Sequence, residues 1–124
     1  MNKKVGILII ITTVLFTISG IFLVAQSQQP VDTGLDDFAK CLTEKGAIMY
    51  GAASCVHCQK VKTTFGSSFQ YINYVECLQD TQKCLDAGIN GYPTWKFSNG
   101  SKLEGEQPLE KIAEFSNCTL PVTK

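Results

Sequence analysis

A pair of cysteines two residues apart, Cys55-Val56-His57-Cys58, stands between a short apolar segment and an amphipathic one. The apolar segment Ala47–Gly51 predicts a β-strand and Val56–Phe65 predicts a helix, so the pair lies where a strand passes into a helix. The first cysteine then takes the helix N-terminus, where unpaired N–H groups and the helix dipole stabilise a thiolate. The second follows about one turn later on the same side, within bridging distance.

The N-terminal part of the chain carries an uncharged apolar run, Val5–Ala25, preceded by Lys3 and Lys4. At about 1.5 Å per residue the run spans roughly 30 Å, the thickness of a bilayer core, and it predicts one transmembrane helix. The two lysines predict a cytoplasmic N-terminus and an extracytoplasmic domain, as in a single-pass protein of the cell membrane. A cleaved signal peptide and a buried core helix are the alternatives, and the first of these also exports the domain.

The 124 residues leave room for one small domain beyond this run. We assign residues 1–25 to the membrane anchor, 26–34 to a polar tether, 35–120 to the folded domain and 121–124 to a tail. The net charge is zero and all eleven basic residues are lysines, so no basic surface indicates nucleic-acid binding. Six cysteines in an exported domain indicate disulfides as well as redox or metal chemistry.

Apolar periodicity and turn residues predict the element order α-β-α-β-α-β-β-α within residues 35–120. The Asn99-Gly100 dipeptide predicts a type I′ hairpin turn between the last two strands. This order predicts an α/β fold, a small mixed four-stranded sheet flanked by helices and preceded by the transmembrane helix, with the cysteine pair opening the first crossover as in a thioredoxin-like fold. The predicted helices are Leu35–Glu44, Val56–Phe65, Thr81–Ala87 and Pro108–Phe115, and the strands are Ala47–Gly51, Tyr71–Glu76, Trp95–Ser98 and Ser101–Glu104.

Two motifs together, Cys55-Val56-His57-Cys58 and Gly91-Tyr92-Pro93-Thr94, resemble those of thioredoxin-fold thiol–disulfide oxidoreductases. More narrowly, Phe38–Cys41, Met49–Ala52 and Gly91–Trp95 resemble the thioredoxin-like domain fused to bacterial and plant vitamin K epoxide reductase homologues. The resemblance covers about residues 35–118. It implies a disulfide-exchange domain whose electrons pass to or from a membrane quinone reductase.

The resemblance and the thiol chemistry assign a role to each residue of the first motif. Cys55 is expected to be the attacking thiolate and Cys58 the resolving thiol, with exchange passing through a mixed disulfide. His57, as imidazolium, would stabilise the Cys55 thiolate and make the disulfide more oxidising. A histidine stands at this position in the DsbA-like and disulfide-isomerase-like members of the family. The alternative is that His57 is an ordinary surface residue.

The second motif is expected to form the substrate edge. The resemblance implies that the Tyr92–Pro93 bond is cis and faces the cysteine pair, where Pro93 would leave a backbone edge open for an extended substrate. Tyr92, Thr94 and Trp95 are the candidate residues of this substrate groove. For Trp95 the alternative is a place in the core.

Two positions depart from the family pattern. Ser54 stands where the residue before the first cysteine is usually aromatic, and Met49 stands where related domains carry a buried carboxylate that exchanges a proton with the resolving cysteine. Proton transfer to Cys58 would then depend on water, on Glu76 or on Lys62, and the sequence does not choose among them.

Four cysteines remain, and sequence alone leaves their pairing open. The related fused domains carry a structural disulfide at the positions of Cys77 and Cys84, which implies the same pair here and leaves Cys41 to pair with Cys118. Free thiols at Cys41 and Cys118 are the alternative.

These observations predict a membrane-tethered, extracytoplasmic thiol–disulfide oxidoreductase that oxidises exported proteins and needs no bound cofactor. Its re-oxidation is expected from a separate quinone-linked membrane enzyme of the vitamin K epoxide reductase type. Oxidase, isomerase and reductase use the same residues, so the direction rests on His57.

Two other functions remain open. One is a non-catalytic thioredoxin-like binding or chaperone module, since a fold does not fix a function. The other is a zinc site made of Cys55, Cys58, Cys77 and Cys84 with His57 nearby, although the separation of Cys77 from Cys84 exceeds the usual ligand spacing.

Overall fold

A computed structural model describes residues 2–25 and 33–121 of the chain. Most of the predicted tether and of the predicted tail lies outside these ranges. Contacts divide the chain into two compact units, residues 1–30 and residues 31–124. The first unit contains helix α1, Lys3–Ala25, which covers the predicted apolar helix. Within the ranges described, no helix meets the combined requirements of length and apolarity for crossing a membrane.

The second unit contains a four-stranded sheet in the order β2-β1-β3-β4. Strand β1 pairs in parallel with β2 and antiparallel with β3, and β3 pairs antiparallel with β4. This is the predicted mixed sheet with its helices, and it fits the thioredoxin-like fold. The elements are α2 Asp36–Glu44, β1 Ile48–Gly51, α3 Val56–Phe65, a 3₁₀ helix Gly66–Tyr71, β2 Tyr74–Glu76, α4 Thr81–Asp86, β3 Thr94–Lys96, β4 Lys102–Glu104 and α5 Leu109–Ser116.

Apolar side chains form a cluster on each side of the sheet. Because side chains alternate along a strand, Met49 joins the larger cluster and its neighbour Tyr50 joins the smaller one. Aromatic rings fill the centre of the larger cluster, where Phe65 stacks on Phe38 and packs against Trp95 with 6.0 Å between ring centroids in each pair. The smaller cluster consists of Tyr50, Val75, Cys77, Cys84 and Ile89.

The predicted second strand is shorter than expected and begins at Tyr74, not at Tyr71. The 3₁₀ helix ends at Tyr71, and the Ile72 N–H still donates to the Phe69 carbonyl at 3.0 Å. Pairing with β1 starts only where Tyr74 lies opposite Met49. The alternation of aromatic and β-branched residues therefore marked the strand correctly but extended it into the preceding turn.

The predicted type I′ turn is wrong, because that turn needs positive φ at both central residues and only Gly100 has it, at 83°. The Gly100 N–H donates to the Phe97 carbonyl at 2.9 Å, so the turn covers four residues. The Asn99 side chain stabilises it by accepting from the Ser101 N–H at 2.9 Å. The flanking strands are each shortened to three residues as a result.

Both predicted disulfides are present. Cys41 in α2 is bonded to Cys118 after α5 across 77 positions of sequence, and Cys77 after β2 is bonded to Cys84 in α4 across 7. The first joins the two ends of the folded domain, and the second closes a short loop. Cys55 and Cys58 are free thiols.

Candidate active site

Cys55 caps the N-terminus of α3. Its backbone is extended, with φ −84° and ψ 114°, and its Sγ accepts the Cys58 N–H at 3.2 Å. The loop before it is held by the Cys55 N–H, which donates to the Ala52 carbonyl at 3.0 Å. Cys55 is partly exposed, so its sulfur at the N-terminus of α3 is open to an incoming disulfide.

Cys58 lies one turn further along α3 in the opposite environment, with 0% of its surface exposed. Burial raises the pKa of the Cys58 thiol to about 11; its hydrogen bond with Cys55 acts in the same direction, while the Ala52 backbone and the Lys62 charge oppose the shift. Cys58 is therefore a protonated thiol at neutral pH. The motif therefore combines one sulfur that a substrate can reach, Cys55, with one that is shielded from solvent, Cys58.

His57 belongs to an exposed charge cluster that the sequence did not predict. Its Nδ1 lies 2.9 Å from Glu106 Oε2, and Lys60 Nζ lies 2.6 Å from Glu106 Oε1. The hydrogen bonds from Lys60 and then His57 hold the pKa of Glu106 below its usual value. Glu106 follows β4, far from the motif in sequence, so no local pattern could have indicated the contact.

The Tyr92–Pro93 peptide bond is cis, as predicted. Because Thr94 is paired with Tyr50, continuation of the same register sets Pro93 beside Gly51, at the end of β1 from which the chain leads to Cys55. The Pro93 carbonyl accepts the Gly105 N–H at 2.7 Å. Tyr92 is 40% exposed at this edge, and Val56, between the two cysteines, is 78% exposed.

The other two residues of the predicted substrate groove lie inside the domain. Thr94 and Trp95 are fully buried, and Thr94 Oγ1 donates to the Gly91 carbonyl at 2.8 Å. Trp95 packs in the larger cluster, which agrees with the alternative of a core residue. Of the three, only Tyr92 presents a side chain at the surface.

Met49 and Ser54 occupy the places that the sequence indicated, Met49 fully buried and Ser54 exposed. A thioether does not take up a proton at neutral pH, so Met49 cannot replace a carboxylate beside Cys58. At this end of the sheet Glu76 accepts from the Ala53 N–H at 3.0 Å and from the Tyr74 hydroxyl at 2.8 Å.

The zinc alternative loses two of its four ligands, since Cys77 and Cys84 are bonded to each other. In the part of the chain that the structure describes, no three side chains of the ligating types lie close enough to hold a metal ion.

Comparison with known proteins finds similarity to a thiol-disulfide oxidoreductase, a thioredoxin-domain protein and a protein disulfide-isomerase. Over 91 residues it is 42% identical to the thiol-disulfide oxidoreductase LTO1 of Arabidopsis thaliana, a match that covers 66% of this chain and 24% of the plant protein. Over 99 residues it is 30% identical to a thioredoxin domain-containing protein 5 homolog of Drosophila melanogaster, covering 67% of this chain and 24% of the fly protein. A third relative is a probable protein disulfide-isomerase ER-60 of Schistosoma mansoni, 31% identical over 68 residues that make up 48% of this chain and 14% of the other. No family model matches the chain.

These similarities support the predicted class of enzyme, a disulfide oxidoreductase, and the sheet with its helices fits a thioredoxin-like fold. The chain spans only 24% of the length of the first two relatives. What it acts on, and with which partners, is therefore a matter for proposal.

Proposed function

We propose that the domain exchanges disulfides with exported proteins through Cys55 and Cys58, in the oxidising direction, while Val5–Ala25 tethers it to the outer side of a membrane. One observation carries the exchange chemistry: a partly exposed Cys55 caps α3, and a fully buried thiol lies one turn behind it. The first sulfur can attack or be attacked, and the second is in reach only of the first.

The direction is supported by the surroundings of Cys55. His57 follows it by two residues, and its Nδ1 lies 2.9 Å from Glu106 Oε2. A cation near the helix N-terminus adds to the stabilisation of a thiolate, which favours the reduced form and makes the disulfide a stronger oxidant. The two disulfides also suit an oxidising compartment.

The partner that re-oxidises the pair is proposed to be a quinone-linked membrane enzyme of the vitamin K epoxide reductase type. Support comes from the sequence motifs around Cys41, Met49 and Pro93, and from the apolar segment, which would keep the domain at the membrane surface. Exported proteins with free thiols are the proposed substrates, entering beside Tyr92 and Val56, two exposed apolar side chains at this end of the domain.

The exchange is tested by trapping. A Cys58→Ala chain expressed at full length should accumulate mixed disulfides with exported proteins, because the buried thiol that releases them is gone. The Cys55→Ala/Cys58→Ala chain is the matched control and should capture none. If both chains give the same pattern in non-reducing gels of the membrane fraction, the domain is a binding module and not an exchange enzyme.

The direction is tested by the equilibrium potential of the Cys55–Cys58 pair against glutathione. A value of about −120 to −180 mV supports an oxidase or isomerase, and a value near −270 mV would identify a reductase. The Glu106→Gln chain should have a more negative potential than the natural chain, because the proposed imidazolium of His57 then loses the carboxylate that pairs with it. An unchanged potential in Glu106→Gln would remove the argument from His57.

The membrane attachment is tested separately. The full chain should stay with the membranes through alkaline extraction, and protease added to the outer side should remove the thioredoxin-like domain. The oxidised fraction of Cys55 and Cys58 should fall when the membrane quinone pool is reduced. A protein released by alkali, or a redox state that ignores the quinone pool, contradicts this part of the proposal.

A further inference from the structure

The buried thiol Cys58 needs a route for its proton. In the proposed cycle the reduced domain is re-oxidised when Cys55 attacks a partner disulfide, and Cys58 must then attack Cys55 to release the partner. A thiolate is the nucleophile in such exchange, and Cys58 is protonated and fully buried. While Cys55 is a free thiolate it can accept a hydrogen bond from the Cys58 thiol, but in the mixed disulfide Cys55 has lost that charge. Another acceptor has to serve at that moment.

Gly51 brings Cys58 and Tyr74 to the same small space at the end of β1. A Cβ atom on Gly51 would lie 3.0 Å from Cys58 Sγ and 3.1 Å from Tyr74 Oη, with Tyr74 Cε2 also at 3.0 Å. The two polar atoms therefore lie no more than about 6 Å apart, a distance that a single bridging water can span. The absence of a side chain at Gly51 is what leaves room for both.

Tyr74 is fixed in this position from two sides. Its hydroxyl donates to Glu76 Oε2 at 2.8 Å, and Lys62 Nζ lies over its ring, 4.0 Å from the centroid. Because the hydroxyl proton is directed at Glu76, the lone pairs of Oη can accept a hydrogen bond from another donor. Burial raises the pKa of Tyr74, and the hydrogen bond and charge of Glu76 and the charges of Cys58 and Cys55 act in the same direction, so the phenol is neutral in the resting state.

Glu76 is suited to exchange a proton with solvent. Although its partial burial opposes ionisation, the hydrogen bonds from Tyr74, Ala53 and Leu78 hold the pKa of Glu76 below its usual value. It is only partly buried, and its Oε1 accepts the Ala53 N–H of the loop that leads to Cys55. Lys62, whose Nζ lies over the Tyr74 ring, adds a charge that favours the ionised form of Glu76.

We propose that Tyr74 relays the proton of Cys58 to Glu76 when Cys58 resolves the mixed disulfide. This inference rests on the proposed exchange function. Cys58 Sγ attacks Cys55 Sγ, the Cys55–Cys58 bond forms, and the bond from Cys55 to the partner sulfur breaks. The partner sulfur leaves as a thiolate with the electron pair of the broken bond. The Cys58 proton passes to Tyr74 Oη as the phenol proton passes to Glu76, which releases it to water, and the partner thiolate takes up a proton from the same solvent.

The experiment follows the reduced full chain as it reacts with oxidised glutathione, with acid quench and mass spectrometry of the adduct. In the natural chain the Cys55–glutathione adduct should form and resolve without accumulating. In Tyr74→Phe the adduct should form at the natural rate but resolve about 100-fold more slowly, the size of effect expected for a lost general base. Resolution in Tyr74→Phe should also speed up with pH, about tenfold per unit, because hydroxide then removes the proton.

Tyr50→Phe is the matched control, since it removes a phenol oxygen from the neighbouring position of β1 but in the smaller cluster across the sheet. It should change neither the rate of adduct formation nor the rate of resolution. Glu76→Gln is the second variant and should slow resolution about tenfold with the same gain in pH dependence, because an amide cannot take up the proton.

Several outcomes would overturn the relay while leaving exchange intact. One is a Tyr74→Phe adduct that resolves at the natural rate with the natural pH profile. Another is a Tyr74→Phe chain that slows adduct formation and resolution equally, since the ring then serves the fold only. If Tyr74→Phe does not fold, an unchanged pH profile in Glu76→Gln rejects the proposal. A natural chain that forms no glutathione adduct and no Cys55–Cys58 disulfide rejects the exchange function itself.

Discussion

Two cysteine pairs follow the carboxyl ends of neighbouring strands, at the same end of the sheet, and differ in exposure and in bonding. Strands β1 and β2 are parallel neighbours; β1 leads into the Cys55/Cys58 pair at the start of α3, and β2 leads into the Cys77/Cys84 pair around α4. Cys77 and Cys84 are 2% and 3% exposed and form a disulfide. Cys55 and Cys58 are free thiols, one partly exposed and one buried.

The difference shows that the exposure of the sulfur atoms, and not the nearness of two cysteines, distinguishes a structural disulfide from a reactive pair. In the second pair both sulfurs are packed among Tyr50, Val75 and Ile89, so no thiolate can reach them. In the first pair the helix N-terminus presents one sulfur, that of Cys55, to solvent. The buried Cys58 then attacks Cys55, so the reaction ends in a Cys55–Cys58 disulfide.

The Cys77–Cys84 disulfide should contribute to stability and not to disulfide exchange. Replacing both of its cysteines, Cys77→Ala with Cys84→Ala, should lower the free energy of unfolding by about 2–3 kcal/mol because a short closed loop is released. The Cys41→Ala/Cys118→Ala chain is the comparison and should lose about 4 kcal/mol, because its loop is much longer. Denaturant unfolding of both chains, together with the glutathione assay, checks this. A loss of exchange in a folded Cys77→Ala/Cys84→Ala chain would mean that the two pairs are coupled.

Alkylation should separate the two sulfurs of the reactive pair. With iodoacetamide at neutral pH, Cys55 should be labelled at least about 100-fold faster than Cys58, since the buried thiol is neither exposed nor ionised. Cys77 and Cys84 should stay unlabelled until reductant and denaturant are both present. Peptide mass spectrometry over time gives the rates, and labelling in denaturant is the control in which Cys55 and Cys58 should react alike. Equal rates in the folded chain would contradict the burial on which the division of roles depends.

The motif residues and the element order could be read from the sequence because they depend on local patterns. The span Val56–Phe65 was predicted to the residue, since an amphipathic period and a following glycine define a helix. The start of β2 was predicted too early because it is set by pairing with β1. That pairing begins at Tyr74, after the 3₁₀ helix has ended, and a single sequence does not show which strands pair. The type I′ turn failed for a related reason: Asn99 uses its side chain to hold Ser101, which the dipeptide rule does not consider.

The parts of the site that the sequence missed are contacts across the fold. Glu106 contacts His57 across a sequence separation of 49 positions, and no local pattern near either residue predicts this contact. Tyr74 and Glu76 were different, because residues two apart on a strand share a face, and the pair could have been read as one unit. The sequence could name Glu76 as one candidate among three, but only the space beside Gly51 selects it, with Tyr74, as the group that serves Cys58.

Gly51 tests how closely the reactive pair depends on its packing. In Gly51→Ala the new Cβ would lie 3.0 Å from Cys58 Sγ and from the Tyr74 ring, so the folded state should lose about 1–3 kcal/mol as these groups move apart. Gly91→Ala is the matched control, with nothing within 4 Å of its Cβ, and its stability should change by less than about 0.5 kcal/mol. Denaturant unfolding of the two variants makes the comparison. Equal stabilities would show that the space at Gly51 is not tight.

The smallest effect should appear in the pH dependence of stability, to which Cys58 contributes and the disulfide-bonded pair does not. The folded-state pKa of Cys58, about 11, lies above that of an unfolded thiol, so between these two values the folded chain holds more protons than the unfolded chain. The stability that this provides is complete below the unfolded pKa and is lost as the pH rises through the folded one, giving a loss of about 1 kcal/mol at pH 10 relative to pH 7. Cys58→Ala removes this contribution while keeping the other titrating groups, so the difference between the reduced natural chain and Cys58→Ala isolates it. The disulfide-bonded Cys77 and Cys84 do not titrate, and a Cys77→Ala/Cys84→Ala chain should therefore lose as much stability between pH 7 and pH 10 as the natural chain does. A natural chain whose stability tracks that of Cys58→Ala over this range would show that Cys58 ionises as easily in the folded protein as in the unfolded one.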